Sequence, residues 1–149
     1  MSIVHSSLKT EINSDPAGLG YAPFISSGNY GGAAAILNTI RSGVAADGKN
    51  YSIHRDDVLP AEVIDAISAT DFAALTTLQS QQLQLLLGMR SIDCTRNNLR
   101  TNLVNIFPVG GGSHAPINNL TSRNGSRAEV LFGIRTIVEA SDIAQALAS

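Results

Sequence analysis

Apolar residues recur at three- and four-residue spacing along most of this chain, and long alternating runs are missing. That periodicity predicts helices and few strands. Ser6 or Ser7 is placed to cap a short helix through Leu8–Ile12. Tyr30–Arg41 reads as a second helix, with Ile36, Leu37 and Ile40 on one face and Ser42-Gly43 as its stop. Pro60 suits the first turn of a helix whose apolar face is Val63, Ile64 and Ile67. Thr70 caps a longer helix, Asp71–Met89. There Leu75, Leu78, Leu85 and Met89 form a stripe that Leu83, Leu86 and Leu87 widen, so this helix is expected to be central. Asp93–Phe107 buries Leu99, Leu103 and Ile106 and stops before Pro108. Ser113 caps a short helix carrying Pro116, Ile117 and Leu120. Ser126-Arg127-Ala128-Glu129 fits the S-x-x-E capping box and opens a helix through Val130, Leu131 and Phe132, with Gly133 just past its end. Ser141 caps a last helix, Asp142–Leu147.

The connections have their own chemistry. Asp15–Pro23 holds two prolines and two glycines and reads as a shaped loop. In it Asp15 accepts from amides two or three residues on, and Tyr21 and the following Phe24 anchor the loop to the body. Ala45–Asn50 (A-A-D-G-K-N) is a turn joining two short strands, Arg41–Ala45 and Asn50–Arg55. Gly110–Gly112 is a joint, Asn124-Gly125 is a turn pair that tolerates positive φ, and Thr136–Val138 reads as a brief strand. The expectation is a mainly α protein: one helical domain over residues 1–149, a compact bundle of about seven short-to-medium helices with at most a small β-hairpin.

Composition shifts the picture toward assembly. The 149 residues suffice for a hydrophobic core, but only 15% are charged, well below the usual quarter. Interface cores are depleted in charge, so a subunit with buried faces fits this balance. The net charge is −2, and the arginines are spread from Arg41 to Arg135, which argues against sequence-specific nucleic-acid binding. Cys94 is alone, so no intrachain disulfide is possible. The first ten residues lack the basic start and apolar run of a signal peptide, and no stretch is long and apolar enough to cross a membrane.

Candidate chemistry is thin. Gly110–Gly112 lacks the Lys-Ser/Thr of a phosphate loop, and His5, His54 and His114 lack metal-ligand spacing. Cys94 is read as a packing residue rather than a nucleophile, and His114 as an exposed loop residue. His54-Arg55-Asp56-Asp57 reads as a solvated turn in which Asp56 or Asp57 caps the Pro60 helix. Arg123, Arg127 and Glu129 read as a salt-bridged C-terminal knot or, alternatively, as a subunit contact. No enzyme activity, cofactor or metal is expected.

Two motifs and their order carry a resemblance. D-P-A-G-L-G-Y-A at Asp15–Ala22, L-N at Leu37-Asn38 and R-N-G-S-R-A-E-V-L-F-G at Arg123–Gly133 together resemble a group of small structural and assembly proteins of tailed bacteriophages. A-A-D-G-K-N and the triple glycine look like local variations on that pattern. The resemblance implies a non-enzymatic virion subunit, assembled in the host cytoplasm as a neck, tail, head–tail connector or capsid-associated component. Its partners would be other phage structural proteins and further copies of itself, without membrane attachment. Asp15, Tyr21, Phe24, Arg123, Arg127 and Glu129 are the candidate interaction residues. An assembly factor or chaperone absent from the mature particle is the alternative, and a small hydrolase comes third.

Overall fold

The computed structural model describes residues 2–149. Among them are ten helices and one two-stranded sheet. In chain order these are α1 (His5–Ser14), α2 (Ala22–Ser26), α3 (Tyr30–Asn38), β1 (Ser52–His54), α4 (Pro60–Ala66), α5 (Ala69–Ala73), α6 (Thr77–Leu87), α7 (Asn97–Asn105), α8 (His114–Leu120), β2 (Ser122–Asn124), α9 (Arg127–Phe132) and α10 (Ala140–Ala148). The mainly helical expectation is met, with ten helices in place of about seven. The chain forms two compact units. One joins the stretch ending at Ile53 to Asn124–Ser149, and the other is His54–Arg123.

In the first unit α1 packs on α10, α10 on α3 and α3 on α9. Leu8, Tyr21, Ala33, Leu37, Ala128 and Ile143 are fully buried at its centre. The alanines of α3 let neighbouring helices approach closely. The capping box forms as the sequence dictates. Ser126 Oγ accepts from the Glu129 amide at 3.2 Å, and Glu129 Oε2 accepts from the Ser126 amide at 3.1 Å. Gly133 ends α9 at φ 107°, a conformation that side-chain-bearing residues avoid.

Several boundaries in this unit differ from the pattern. α1 begins at His5, a turn earlier than expected. Neither Ser6 nor Ser7 caps it; its N-cap is Val4, in extended conformation without a side-chain bond. Pro23 lies inside α2, at a first-turn position where its missing N–H costs nothing. α3 stops at Asn38, so Ile40 lies beyond the helix and is 57% exposed rather than part of its buried face. The Ala45–Lys49 turn closes as expected, the Ala45 amide donating to the Lys49 carbonyl at 2.8 Å beside an antiparallel Val44–Asn50 bridge. The two expected strands meet only briefly, through that bridge and a Tyr51 amide donating to the Gly43 carbonyl at 3.0 Å, and the residues after Tyr51 pair instead as β1 with β2. Asn124 is therefore strand rather than turn. Gly125 has no positive φ; a Cβ there would sit 2.8 Å from Ile53 Cδ1, so a larger residue would have to displace the end of that side chain. Residues 136–138 form no strand; Val138 pairs instead with the Asn38 side chain. The Asn38 side-chain amide donates to the Val138 carbonyl at 2.8 Å, and its Oδ1 accepts from the Val138 amide at 2.9 Å. α10 is capped through Asp142, whose Oδ2 accepts from the Glu139 amide at 2.8 Å, and not by Ser141.

The second unit is built from α4 to α8 around Val63, Ile92, Leu103 and Ile117, with α8 packed on both α4 and α7. The long helix expected over Asp71–Met89 is two helices. Ser68, not Thr70, caps α5 by accepting from the Asp71 amide at 3.2 Å. Thr76 and Gln79 then form a second capping box, T-x-x-Q, with bonds of 3.2 and 2.9 Å that start α6 afresh. α7 starts at Asn97 rather than Asp93, because Asp93 is spent in a turn, accepting from the Thr95 amide at 3.1 Å. Ser113 makes no side-chain cap for α8. It is buried, accepts from the Ser68 amide at 2.8 Å, and donates its own amide to Asp71 Oδ2 at 2.8 Å. His114 is the half-buried first residue of α8, its Nδ1 within 3.0 Å of the Phe107 carbonyl, and not an exposed loop residue. The α4 cap comes from Glu62, which accepts from the Leu59 amide at 2.8 Å, and not from Asp56 or Asp57.

Ser126→Ala removes one hydroxyl acceptor from a buried helix start and is expected to cost about 1 kcal/mol. The check is the chemical-denaturation midpoint of the variant beside the parent.

Candidate functional site

Four of the six candidate interaction residues share one polar cluster or its supports in the first unit. Arg127 is the first residue of α9, and its guanidinium is fully buried. Nε and Nη2 each donate to one oxygen of Glu11, both at 2.8 Å. Nη1 and Nη2 reach the two oxygens of Asp47 at 3.1 and 2.6 Å. The planar five-donor fork matches two carboxylates in this way, which a lysine point charge does not. Tyr21, also fully buried, donates its hydroxyl to Glu11 Oε1 at 3.0 Å. One guanidinium thus ties α1, the Ala45–Lys49 turn and α9 together.

Electrostatics follow the geometry. Burial alone would lower the Arg127 pKa. Hydrogen bonds to Glu11 and Asp47 outweigh it and raise the value, so the cation persists in the interior. Burial, with Glu11 beside it, pushes the Tyr21 phenol up, keeping it a neutral donor. The hydrogen bond from Arg127 holds the Asp47 carboxyl below its ordinary value. Asp15 supports the cluster from the loop. It accepts from the Leu19 and Gly20 amides, both at 2.7 Å, four and five residues on rather than two or three. Its own φ is 40°, and the loop also needs positive φ at Gly18 and Gly20. Glu129 is buried and its Oε1 accepts from the Arg135 amide at 2.8 Å. Phe24 lies half-buried over α3, so close that a Cβ on Gly32 would meet its Cδ1 at 2.3 Å. Arg123 is half-buried on β2.

The partners that the sequence reading left out are Glu11 and Asp47. One signal existed for Glu11: it falls at spacing i+3 from Leu8 and precedes Ile12, so an acidic residue sits on an apolar helical face. Asp47 reads as an ordinary turn residue, and nothing local couples it to an arginine eighty positions on.

The groups considered for chemistry take structural positions. Cys94 is fully buried, and burial raises its thiol pKa. Arg55 forms a fork on Glu62, 3.1 Å to each oxygen, and Nε donates to Asp57 at 3.0 Å. Among the described residues no three His, Cys, Asp or Glu side chains gather in metal-binding geometry.

The second unit presents a different surface. The break between α5 and α6 opens a groove of about 660 Å³, lined by Ile64, Ile67, Ala69, Phe72, Leu75, Leu83 and Leu87 with Ser80 and Gln84. No lining residue is charged. Ile64 is 55% exposed and Phe72 62%, unusual for such large side chains when they adjoin one another. From Asp56 to Met89 the chain has no Lys or Arg. The lining is apolar and concave, with two uncharged polar side chains among it.

Arg127→Leu leaves Glu11 and Asp47 without their cation and is expected to destabilise the protein by about 3–5 kcal/mol; equilibrium urea unfolding measures it. Asp47 gives a pH signature. Its folded pKa lies below the unfolded value of 3.8, so its stabilisation is present above that pH and is lost as pH falls through the folded value. The stability gap between parent and Asp47→Asn is therefore expected to be widest near neutrality and to narrow below pH 3.8, read from unfolding midpoints across pH.

No protein-family model, curated protein or solved structure matches this chain.

Proposed function

We propose that this chain is a non-enzymatic structural subunit of a tailed-phage virion, a neck, tail or capsid-associated component that works through protein–protein contacts in a symmetric assembly. The observation that carries this reading is the uncharged apolar groove beside α6, with Ile64 and Phe72 left half in water. A solitary protein gains by burying such a surface; a subunit gains by keeping it for a neighbour. Low overall charge supports the same reading, because it lowers the desolvation cost of pressing faces together. The order of D-P-A-G-L-G-Y-A, L-N and S-R-A-E-V-L-F-G, which resembles that of tailed-phage structural proteins, supports a phage origin.

The role follows from shape. The Arg127 cluster ties α1, the Ala45–Lys49 turn and α9 together. The groove supplies a docking surface on the other unit.

In purified, gradient-banded particles of a phage encoding this chain, mass spectrometry is expected to find the protein at a fixed ratio to the major capsid protein. Abundance in infected-cell lysate with absence from the particles would reject the virion subunit in favour of an assembly factor.

A further inference from the structure

We infer that the polar cavity between α7 and the end of α8 is a binding site for the phosphate group of a small molecule, held by Arg100 and the carboxamides around it. The inference goes beyond the assembly reading and does not rest on it.

The cavity measures about 300 Å³, and all its lining residues belong to the second unit. α7 contributes Arg100, Thr101, Val104 and Asn105. These fall at i, i+1, i+4 and i+5, so one face of the helix forms a wall. Asn118 and Asn119 come from the last turn of α8, and His54 from the end of β1. Val104 is the one apolar residue in the lining, and no carboxylate is present. This composition is the reverse of the groove beside α6, which is apolar and uncharged.

Arg100 is the residue that needs a partner. Arg55 meets Glu62 and Asp57, Arg96 meets Asp93, and Arg127 meets Glu11 and Asp47. Arg100 bonds only to neutral acceptors. Its Nη1 donates to the Cys94 carbonyl and its Nη2 to Asn97 Oδ1, both at 2.8 Å. Those two bonds hold the half-buried guanidinium in place and use two of its five N–H donors, so three remain.

Neutral donors complete the set. Among the described residues the side chains of Asn105, Asn118 and Asn119 make no hydrogen bond, and each carboxamide brings two N–H groups. The backbone carbonyls beside them are already engaged. The Asn118 carbonyl accepts from the Thr121 amide and hydroxyl, and the Thr121 carbonyl accepts from the Arg55 amide. His54 adds a ring nitrogen, its pKa held below the ordinary value by burial and then by the Arg100 charge.

Charge and shape then choose the ligand. A cation would meet Arg100 at like charge. A neutral sugar would cover the guanidinium without a counter-charge. A phosphate supplies that charge, and the Arg fork suits it. Its oxygens point in four directions, which matches donors drawn from three separate elements; a planar carboxylate engages fewer of them. The volume is at the low end for ligand cavities, so the body carrying the phosphate is small.

The test is an NMR titration of the full chain with glycerol 3-phosphate at constant ionic strength, reading the side-chain N–H resonances of Asn105, Asn118 and Asn119. Saturable shifts are expected, with weaker binding of acetate. Arg100→Gln is expected to lower the affinity about tenfold or more. Asn118→Asp keeps Arg100 and its two anchoring bonds, changes an exposed side chain and sets a carboxylate against the ligand; a loss of about the same size is expected. Should Arg100→Gln fail to fold, Asn118→Asp decides alone. The inference is overturned by the absence of saturable shifts, by the same shifts with chloride, by acetate binding as tightly as the phosphate, or by unchanged affinity in Asn118→Asp. None of these results touches the virion assignment, which is read from particle composition.

Discussion

The first unit depends on one buried cation. Arg127 has no exposed surface and must be matched by nearby anions, because an unpaired guanidinium in the interior costs several kcal/mol. Glu11 and Asp47 supply the match from segments 116 and 80 residues away. The requirement therefore constrains three parts of the chain at once. α1 must present Glu11 inward, the Ala45–Lys49 turn must fold back so that Asp47 reaches the second side of the fork, and α9 must begin at Ser126 so that Arg127 occupies its first turn. The capping box supplies that third condition. Tyr21 ties the Asp15 loop to the same carboxylate. A buried ion pair contributes little net stability over an apolar replacement, but it penalises every alternative arrangement that leaves one partner alone.

Helix as the dominant element was legible because the three-to-four spacing of apolar residues depends on nothing distant. The Ser126 box was legible for the same reason: its donors and acceptors lie within four residues of each other. Where one helix becomes two was harder. Asp71–Met89 reads as one amphipathic run, since leucines continue across Thr76 and hydrophobic periodicity does not register a break that keeps phase. The signal lay in the polar residues, Thr76 and Gln79, whose mutual bonds restart the helix. The same run misplaced the buried face. Leu83 and Leu86 are buried, while Leu78 and Leu85 are in water, because a helix with leucines all round leaves the direction of the core to tertiary packing.

The polar site was half legible. Asp15, Tyr21, Arg127 and Glu129 stand out in sequence, and the structure gives all four roles in one unit. What hid was the pairing. Asn38 shows the same limit: its side chain substitutes for a strand along Val138, one hundred residues on, and no local pattern announces a side chain that completes a backbone ladder. Long-range polar contacts depend on two segments meeting, and single-chain periodicity has no term for that.

Both units expose some large apolar side chains, Val4, Ile40, Val44 and Ile137 in the first among them, and both hold an arginine paired with two carboxylates. The first buries the Arg127 guanidinium, the Glu11 carboxylate and the Tyr21 phenol together. The second leaves apolar side chains in water around α6. A lone exposed leucine is ordinary on a folded protein. Leu78 and Leu85 differ because they are in register with each other and out of phase with the groove stripe by half a helical turn. Selection for solubility alone would place Lys or Glu at such positions, at negligible cost to the helix. Leucine and glutamine stand there instead, on a helix without one charged residue.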